Sequence, residues 1–121
     1  MYIYVYSYES MKTKAEETAR QFAPIFKALA DPTRQKILLM LEGKKRSVNE
    51  IVDFFNLSQP TISRHLSVLK NSGLVTAERK GQNVYYDVAE VKIKSCCIGF
   101  FSSFACCQPV LLNFSTKGKN A

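Results

Sequence analysis

SVNEIVDFFNLSQPTISRHLSVLKNSGLVTAERKGQNVYYDV, residues 47–88, carries in one run a capped helix, a turn, a second capped helix and a β-hairpin. Ser47-Val48-Asn49-Glu50 is a capping box, in which a serine and the glutamate three residues on satisfy free amides at a helix start. Ile51, Val52 and Phe55 continue it as an apolar stripe at helical spacing. Asn56-Leu57 makes the turn. Ser58 caps the next helix, Gln59-Pro60 lies in its first turn, where proline's missing N–H costs nothing, and Gly73 stops it. Val75 to Arg79 and Val84 to Val88 have strand composition and are joined through Lys80-Gly81-Gln82-Asn83. The pattern is a helix-turn-helix followed by a wing, and such a unit sets one polar helix face in a DNA major groove.

The bulk composition agrees. A chain of 121 residues is most simply one domain. Hydrophobic residues make up 46% and charged residues 22%, enough apolar material for a core and too little charge for a disordered tail. The net charge of +7 suits an anionic partner, nucleic acid before membrane. No apolar run approaches the roughly 20 residues that span a bilayer, and the N-terminus lacks the pattern of a secretory signal. A cytoplasmic protein follows, with its four cysteines reduced or metal-bound at rest.

Outward from the central stretch, Thr13 to Ala30 has a helical pattern with Phe22, Ile25, Phe26 and Leu29 on one face, and Pro24 marks a kink or the helix start. Asp31-Pro32 opens another helix, which carries Ile37, Leu38, Met40 and Leu41 and ends near Gly43. Lys44-Lys45-Arg46 is a basic loop, either a solvated connector or a phosphate contact. Tyr2, Tyr4, Tyr6 and Tyr8 alternate with other residues at strand period, which leaves three readings: an added edge strand, a disordered extension, or residues preceding a natural start at Met11. Of these, residues 1–11 are expected to be a disordered extension or to precede the true start. Beyond the wing, Ala89 to Cys107 reads as a final helix ended by Pro109; Val110 to Phe114 is apolar and could dock on the body, and Ser115 to Ala121 is a loose tail. The expected organisation is therefore an extension, a winged-helix domain over 12–108, and a tail over 109–121.

On the second motif helix, Ile62, Leu66 and Leu69 take the buried face at spacings of four and three. Gln59, Thr61, Ser63 and Arg64 are then free for bases and phosphates: glutamine pairs with adenine, arginine with guanine or phosphate, serine and threonine less selectively. Arg79 and Lys80 at the wing tip would reach phosphates or the minor groove. His65, the single histidine, suits a structural or phosphate-contact role better than metal ligation. Ser58 and Lys70, at the two ends of the helix, complete the candidate DNA-facing set. An ordinary solvated helix face is the competing reading for any one of these residues.

The chain resembles the ArsR/SmtB family of prokaryotic winged-helix repressors over roughly Phe22 to Val88. The resemblance rests on Phe26-Lys27-Ala28-Leu29-Ala30-Asp31-Pro32-Thr33-Arg34, on Leu57-Ser58-Gln59-Pro60-Thr61-Ile62-Ser63-Arg64-His65-Leu66 and on Leu69-Lys70-Asn71-Ser72-Gly73-Leu74-Val75, in that order and spacing. It implies a homodimer built from the first and last helices, binding operator DNA near a promoter until an effector weakens its grip.

The effector is read from the cysteines, Cys96-Cys97 and Cys106-Cys107, which form two adjacent pairs in the last helix region. Metal sensors resembling this family often carry Cys-x-Cys in the first motif helix, but Asn49-Glu50-Ile51-Val52-Asp53-Phe54-Phe55 has none; other members use histidines on the last helix, and here it has none. Some arsenic-responsive relatives place an adjacent cysteine pair and a third cysteine there, though with a shorter gap. Thiolates select soft and thiophilic species such as arsenite, antimonite, cadmium, lead, mercury, copper(I) and zinc. On one straight helix Cys96 and Cys107 would stand about 16 Å apart, so a single ion needs either a helix break at Gly99 or Ser102-Ser103, or a site shared across the dimer. Shared, the site would use the face Cys96, Phe100, Ser103, Cys107.

The reading is a homodimeric, mainly α protein with a β-hairpin wing, a winged helix-turn-helix repressor of double-stranded operator DNA. Arsenite or a soft metal ion is the favoured effector, with redox or reactive-sulfur sensing by the same thiols as the alternative and plain interface packing as the third. No permanent cofactor is expected. No enzyme is expected either, because the chain has no glycine-rich phosphate loop and no evident carboxylate pair.

Overall fold

The computed structural model describes residues 7–111. The elements run α1 (Tyr8–Leu29), α2 (Pro32–Leu41), β1 (Arg46–Ser47), α3 (Val48–Phe54), α4 (Gln59–Asn71), β2 (Val75–Lys80), β3 (Asn83–Val88) and α5 (Glu90–Phe101), followed by a 3₁₀ turn at Ala105–Cys107. The mainly α chain with a β-hairpin wing expected from the sequence is the fold observed.

Helices α1 to α4 each start at a side chain that takes free amides, whereas α5 starts at Ala89 without one. Asp31 accepts from the amides of Thr33 and Arg34 at 2.8 and 3.2 Å, with Pro32 beside it in the first turn. At α3 the capping box closes in both directions: the Glu50 amide donates to Ser47 Oγ at 3.2 Å and the Ser47 amide to Glu50 Oε1 at 3.1 Å. Helix α4 ends in a Schellman motif. Gly73 takes φ +83°, its amide reaches Lys70 O at 3.0 Å, and the Leu74 amide reaches Leu69 O at 2.9 Å.

These caps let the apolar faces converge. Ile37 and Leu41 from α2, Ile51 from α3, and Ile62, Leu66 and Leu69 from α4 are almost fully buried, with Leu74 and Val75 closing the core below the sheet. Phe22, Ile25 and Ala28 bring α1 onto this core. The sheet order is β1-β3-β2, both pairings antiparallel, with Val75 opposite Val88 and Lys80 opposite Asn83 in the wing.

The structure departs from the sequence reading in five places. Helix α1 begins at Tyr8, capped by Ser7, so Tyr8 to Met11, which the sequence reading assigned to a disordered extension or to residues before the true start, form its first turn. Met1 to Tyr6 lie outside the described residues. Helix α1 also runs through Pro24 without stopping, and Pro24 faces solvent. The basic loop ends in a third strand, β1, in which Arg46 and Ser47 pair with Tyr86 and Tyr85. The last helix is not continuous to Cys107. Ser102 Oγ turns back to Gly99 O at 3.3 Å, an alternative to the helical bond that serine readily offers. Phe104 folds over Phe100 with ring centroids 5.5 Å apart, and Gln108 Nε2 donates to Ser102 O at 3.0 Å. Pro109 sits inside a short helical turn at 108–111 rather than ending a helix. The possible docking segment through Phe114 and the tail lie mostly outside the described residues.

Helix α5 approaches α1 closely at Gly99. A Cβ there would stand 3.0 Å from Phe22 Cζ. Phe100 fills the rest of the contact, 5.5 Å from the Phe22 ring and 4.8 Å from the Phe26 ring in edge-on geometry. No described helix is long and apolar enough to cross a membrane.

Candidate nucleic-acid interface and thiol segment

Burying Ile62, Leu66 and Leu69 leaves the opposite face of α4 to solvent. Gln59, Ser63, Arg64 and Lys70 are exposed along it, and Thr61 is half-buried. Ser58 is occupied as the cap, its hydroxyl 2.9 Å from Thr61 Oγ1 and 3.3 Å from the Thr61 amide. The start of the helix therefore carries ordered polar groups and the positive end of the helix dipole, both of which favour an anionic partner.

Arg79 and Lys80 stand together at the end of β2, where Gly81 turns the wing at φ +64°. Lys80 Nζ lies 3.8 Å from Glu78 Oε1, a solvent-exposed pair. The Lys44-Lys45 loop approaches the wing across an open cleft of about 840 Å³, lined also by Lys80, Tyr85, Glu50, Asp87 and Glu90. Carboxylates match the lysines in that cleft, so it has no net preference for an anion. Glu50 itself is held ionised below the ordinary carboxylate range, mainly by the Ser47 amide, against an opposing push from desolvation.

His65 differs from the other α4 residues. It is half-buried, and its Nδ1 lies 3.2 Å from Arg34 Nη1. The same guanidinium donates from Nε to Ala28 O at 2.7 Å and from Nη2 to Lys27 O at 3.1 Å. Sequence reasoning named His65 but not Arg34. No local pattern links residues so far apart in the chain, and only the tertiary packing of α2 on α4 brings them together.

The four cysteines are free thiols and fall into two environments. Cys96 is half-buried and packs against the hydrophobic core, while Cys97 on the same helix is exposed. Beyond the break, Cys106 Sγ and Cys107 Sγ are 3.9 Å apart. Burial pushes the Cys107 thiol up, and its bond with Cys106 and the charges of Cys106 and Cys97 push the same way. Two thiolates on one tetrahedral zinc stand about 3.8 Å apart, from Zn–S bonds of about 2.3 Å, so the Cys106–Cys107 spacing suits two donors of one soft ion. Among the described residues of a single chain no three of the metal-binding side chains converge into a complete site. The break at Ser102-Ser103, one of the two arrangements foreseen from the sequence, interrupts the continuous face Cys96, Phe100, Ser103, Cys107 that a shared antiparallel site required.

Comparison with known proteins agrees with this architecture. Residues 31–77 match the family described as bacterial regulatory protein, arsR family. The transcriptional repressor SdpR of Bacillus subtilis is 38% identical over 96 residues, covering 79% of this chain and 94% of that protein. An arsenical resistance operon repressor of the same organism is 33% identical over 98 residues, covering 80% and 90%. The solution structure of a homodimeric winged helix-turn-helix DNA-binding domain from Mycobacterium bovis superposes with a TM-score of 0.60 at 28% identity, covering 84% of this chain and 90% of that one. With a helix-turn-helix and wing of this geometry and relatives matched at this identity and coverage, the chain is a member of the arsR family of bacterial regulatory proteins.

Proposed function

We propose that the chain acts as a homodimeric repressor that holds operator DNA through Ser58, Gln59, Thr61, Ser63, Arg64, His65 and Lys70, with Arg79 and Lys80 on flanking phosphates, and that a thiophilic metalloid, arsenite by preference, releases it. As a member of its family it is a DNA-binding transcriptional regulator, not an enzyme. The observation that carries the reading is the division of α4 into a fully buried apolar face and an exposed polar one.

Dimerisation is supported by the apolar groove between α1 and α5, lined by Met11, Ala15, Phe100 and Phe104 and flanked by exposed Phe26 and Phe101. A patch of this kind is left by a chain that expects a partner. Two copies related by a twofold axis present two α4 helices to half-sites about 34 Å apart, one turn of DNA. Trivalent arsenic supplies a centre that bonds thiolates directly. Cys106 and Cys107 would hold it as a pair, and a third thiolate, Cys96 or Cys97, would have to come to it by a movement of α5 or from the second copy. Release then requires that the ion bind the DNA-incompetent arrangement more tightly than the competent one. The exposed thiols of Cys97 and Cys106 also support a second reading, oxidation to a disulfide between protomers.

The test uses the reduced, full-length chain bound to a DNA fragment it selects from a random pool. Arsenite should lower affinity at least tenfold, and Cys106→Ser or Cys107→Ser should remove the response while leaving DNA binding intact. Release by an oxidant alone, reversed by a reductant, would replace arsenite sensing with the redox reading. Release by neither would overturn both.

A further inference from the structure

The guanidinium of Arg34 sits where two helices meet. The last carbonyls of any helix lack partners within it, and those at the end of α1 are taken by α2: Lys27 O and Ala28 O by Arg34, Leu29 O by Gln35 Nε2 at 2.6 Å. A cation there is also favoured by the negative end of the α1 dipole. Arg34 is therefore not a loose surface arginine. Two of its nitrogens are fixed before the third is considered, and its own amide is held by Asp31.

The third nitrogen, Nη1, meets His65 Nδ1 at 3.2 Å. A guanidinium has five N–H donors, no acceptor, and does not lose its proton in a protein. The bond can run only one way, with Nη1–H donating to a lone pair on Nδ1. A neutral imidazole has one donor and one acceptor nitrogen, so accepting at Nδ1 puts the proton on Nε2. The same fork that closes α1 thus selects a tautomer on the recognition helix.

We propose that Arg34 is a positioning residue for DNA recognition, fixing His65 as the Nε2–H tautomer and holding its ring so that the Nε2 proton is the donor offered to DNA. The inference rests on α4 being the DNA-reading helix. It adds a role for a residue outside that helix and assigns the chemistry of the His65 contact: a neutral donor, matched to a phosphate or carbonyl oxygen and mismatched to the exocyclic amine of adenine or cytosine. A merely structural Arg34 would cap α1 equally well and leave the ring free to exchange tautomers.

His65 is the only histidine in the chain, so its ring nitrogens can be read without ambiguity. In the full-length reduced protein labelled with ¹⁵N-histidine, a two-bond ¹H–¹⁵N spectrum above pH 7 should give one acceptor-type shift at Nδ1 and one protonated-type shift at Nε2. In Arg34→Met the two should move toward the average of both tautomers, with helicity by circular dichroism unchanged. An averaged or Nδ1-protonated spectrum in the wild type overturns the proposal with no variant required, which covers the case in which Arg34→Met fails to fold. On DNA selected by the wild type, Arg34→Met and His65→Ala should each weaken binding about tenfold, the scale of a hydrogen bond to a charged group, and the double variant should lose little more than either alone. Additive losses would contradict it. A wild type that binds no DNA would overturn the functional reading itself, whatever the tautomer.

Discussion

Asp31 illustrates how single residues set this molecule. Its carboxylate stands between a helix start and the Arg34–His65 pair. Desolvation pushes its pKa up, but the amides of Arg34 and Thr33, and then the charge of Arg34, outweigh that and leave it below its ordinary value of 3.8. A carboxyl with a lowered folded-state pKa contributes stability above its unfolded value, and that contribution disappears as pH falls through the folded value. Asp31→Asn keeps a competent cap but removes the charge. We expect it to be less stable than the wild type at neutral pH by up to about 1 kcal/mol, and the gap to close below pH 3.8; thermal melts across pH measure this, and a pH-independent gap would contradict it. Residues whose partners are three or four positions away were legible in the sequence, as Asp31, Ser47, Glu50 and Ser58 all were. Arg34 was not, because its partners Lys27, Ala28 and His65 lie at distances along the chain that carry no periodic signal.

Among the elements, α4 has a buried apolar face and an exposed polar one that we propose reads DNA, and substitutions should separate the two. Ile62 is fully buried, so Ile62→Ala should cost about 2–5 kcal/mol in chemical denaturation. Arg64 is exposed, so Arg64→Ala should change stability by less than about 0.5 kcal/mol while weakening DNA binding at least tenfold. The α1–α5 contact makes a second element-scale prediction. With Phe22 Cζ only 3.0 Å from where a side chain would begin at Gly99, Gly99→Val should destabilise the fold by about 1–3 kcal/mol through overpacking, visible as a lower denaturation midpoint. A wild-type midpoint would mean that the Phe22 ring moves aside to admit the new side chain. The motif helices and the wing were legible because caps, periodicity and Gly73 agree with one another. Strand β1 was not, since two residues, Arg46 and Ser47, hold too little pattern and owe their pairing to β3. The break at Ser102 was one of two options until the hydroxyl bond to Gly99 and the fold-back of Phe104 and Gln108 selected it.

At the scale of the whole molecule, the account requires two copies to present two α4 helices at a fixed spacing. Phe101 is exposed in the single chain and lies beside Phe26 and Phe100. Phe101→Glu should therefore convert a species of twice the chain mass into one of the chain mass by light scattering, and should weaken operator binding in parallel; a dimer insensitive to the change would place the interface elsewhere. The sequence names the four cysteines, but how thiols assemble into one site and which faces pair in a dimer lie beyond it, because both depend on how helices meet rather than on spacing within them. The most direct test of the central claim is fluorescence anisotropy of the reduced, full-length protein on DNA it has selected, comparing the wild type with Gln59→Ala/Arg64→Ala alongside melting curves for both. The account predicts a loss of at least a hundredfold in affinity with unchanged melting. Equal affinities, or a loss accompanied by unfolding, would contradict the assignment of the exposed α4 face as the surface that reads DNA.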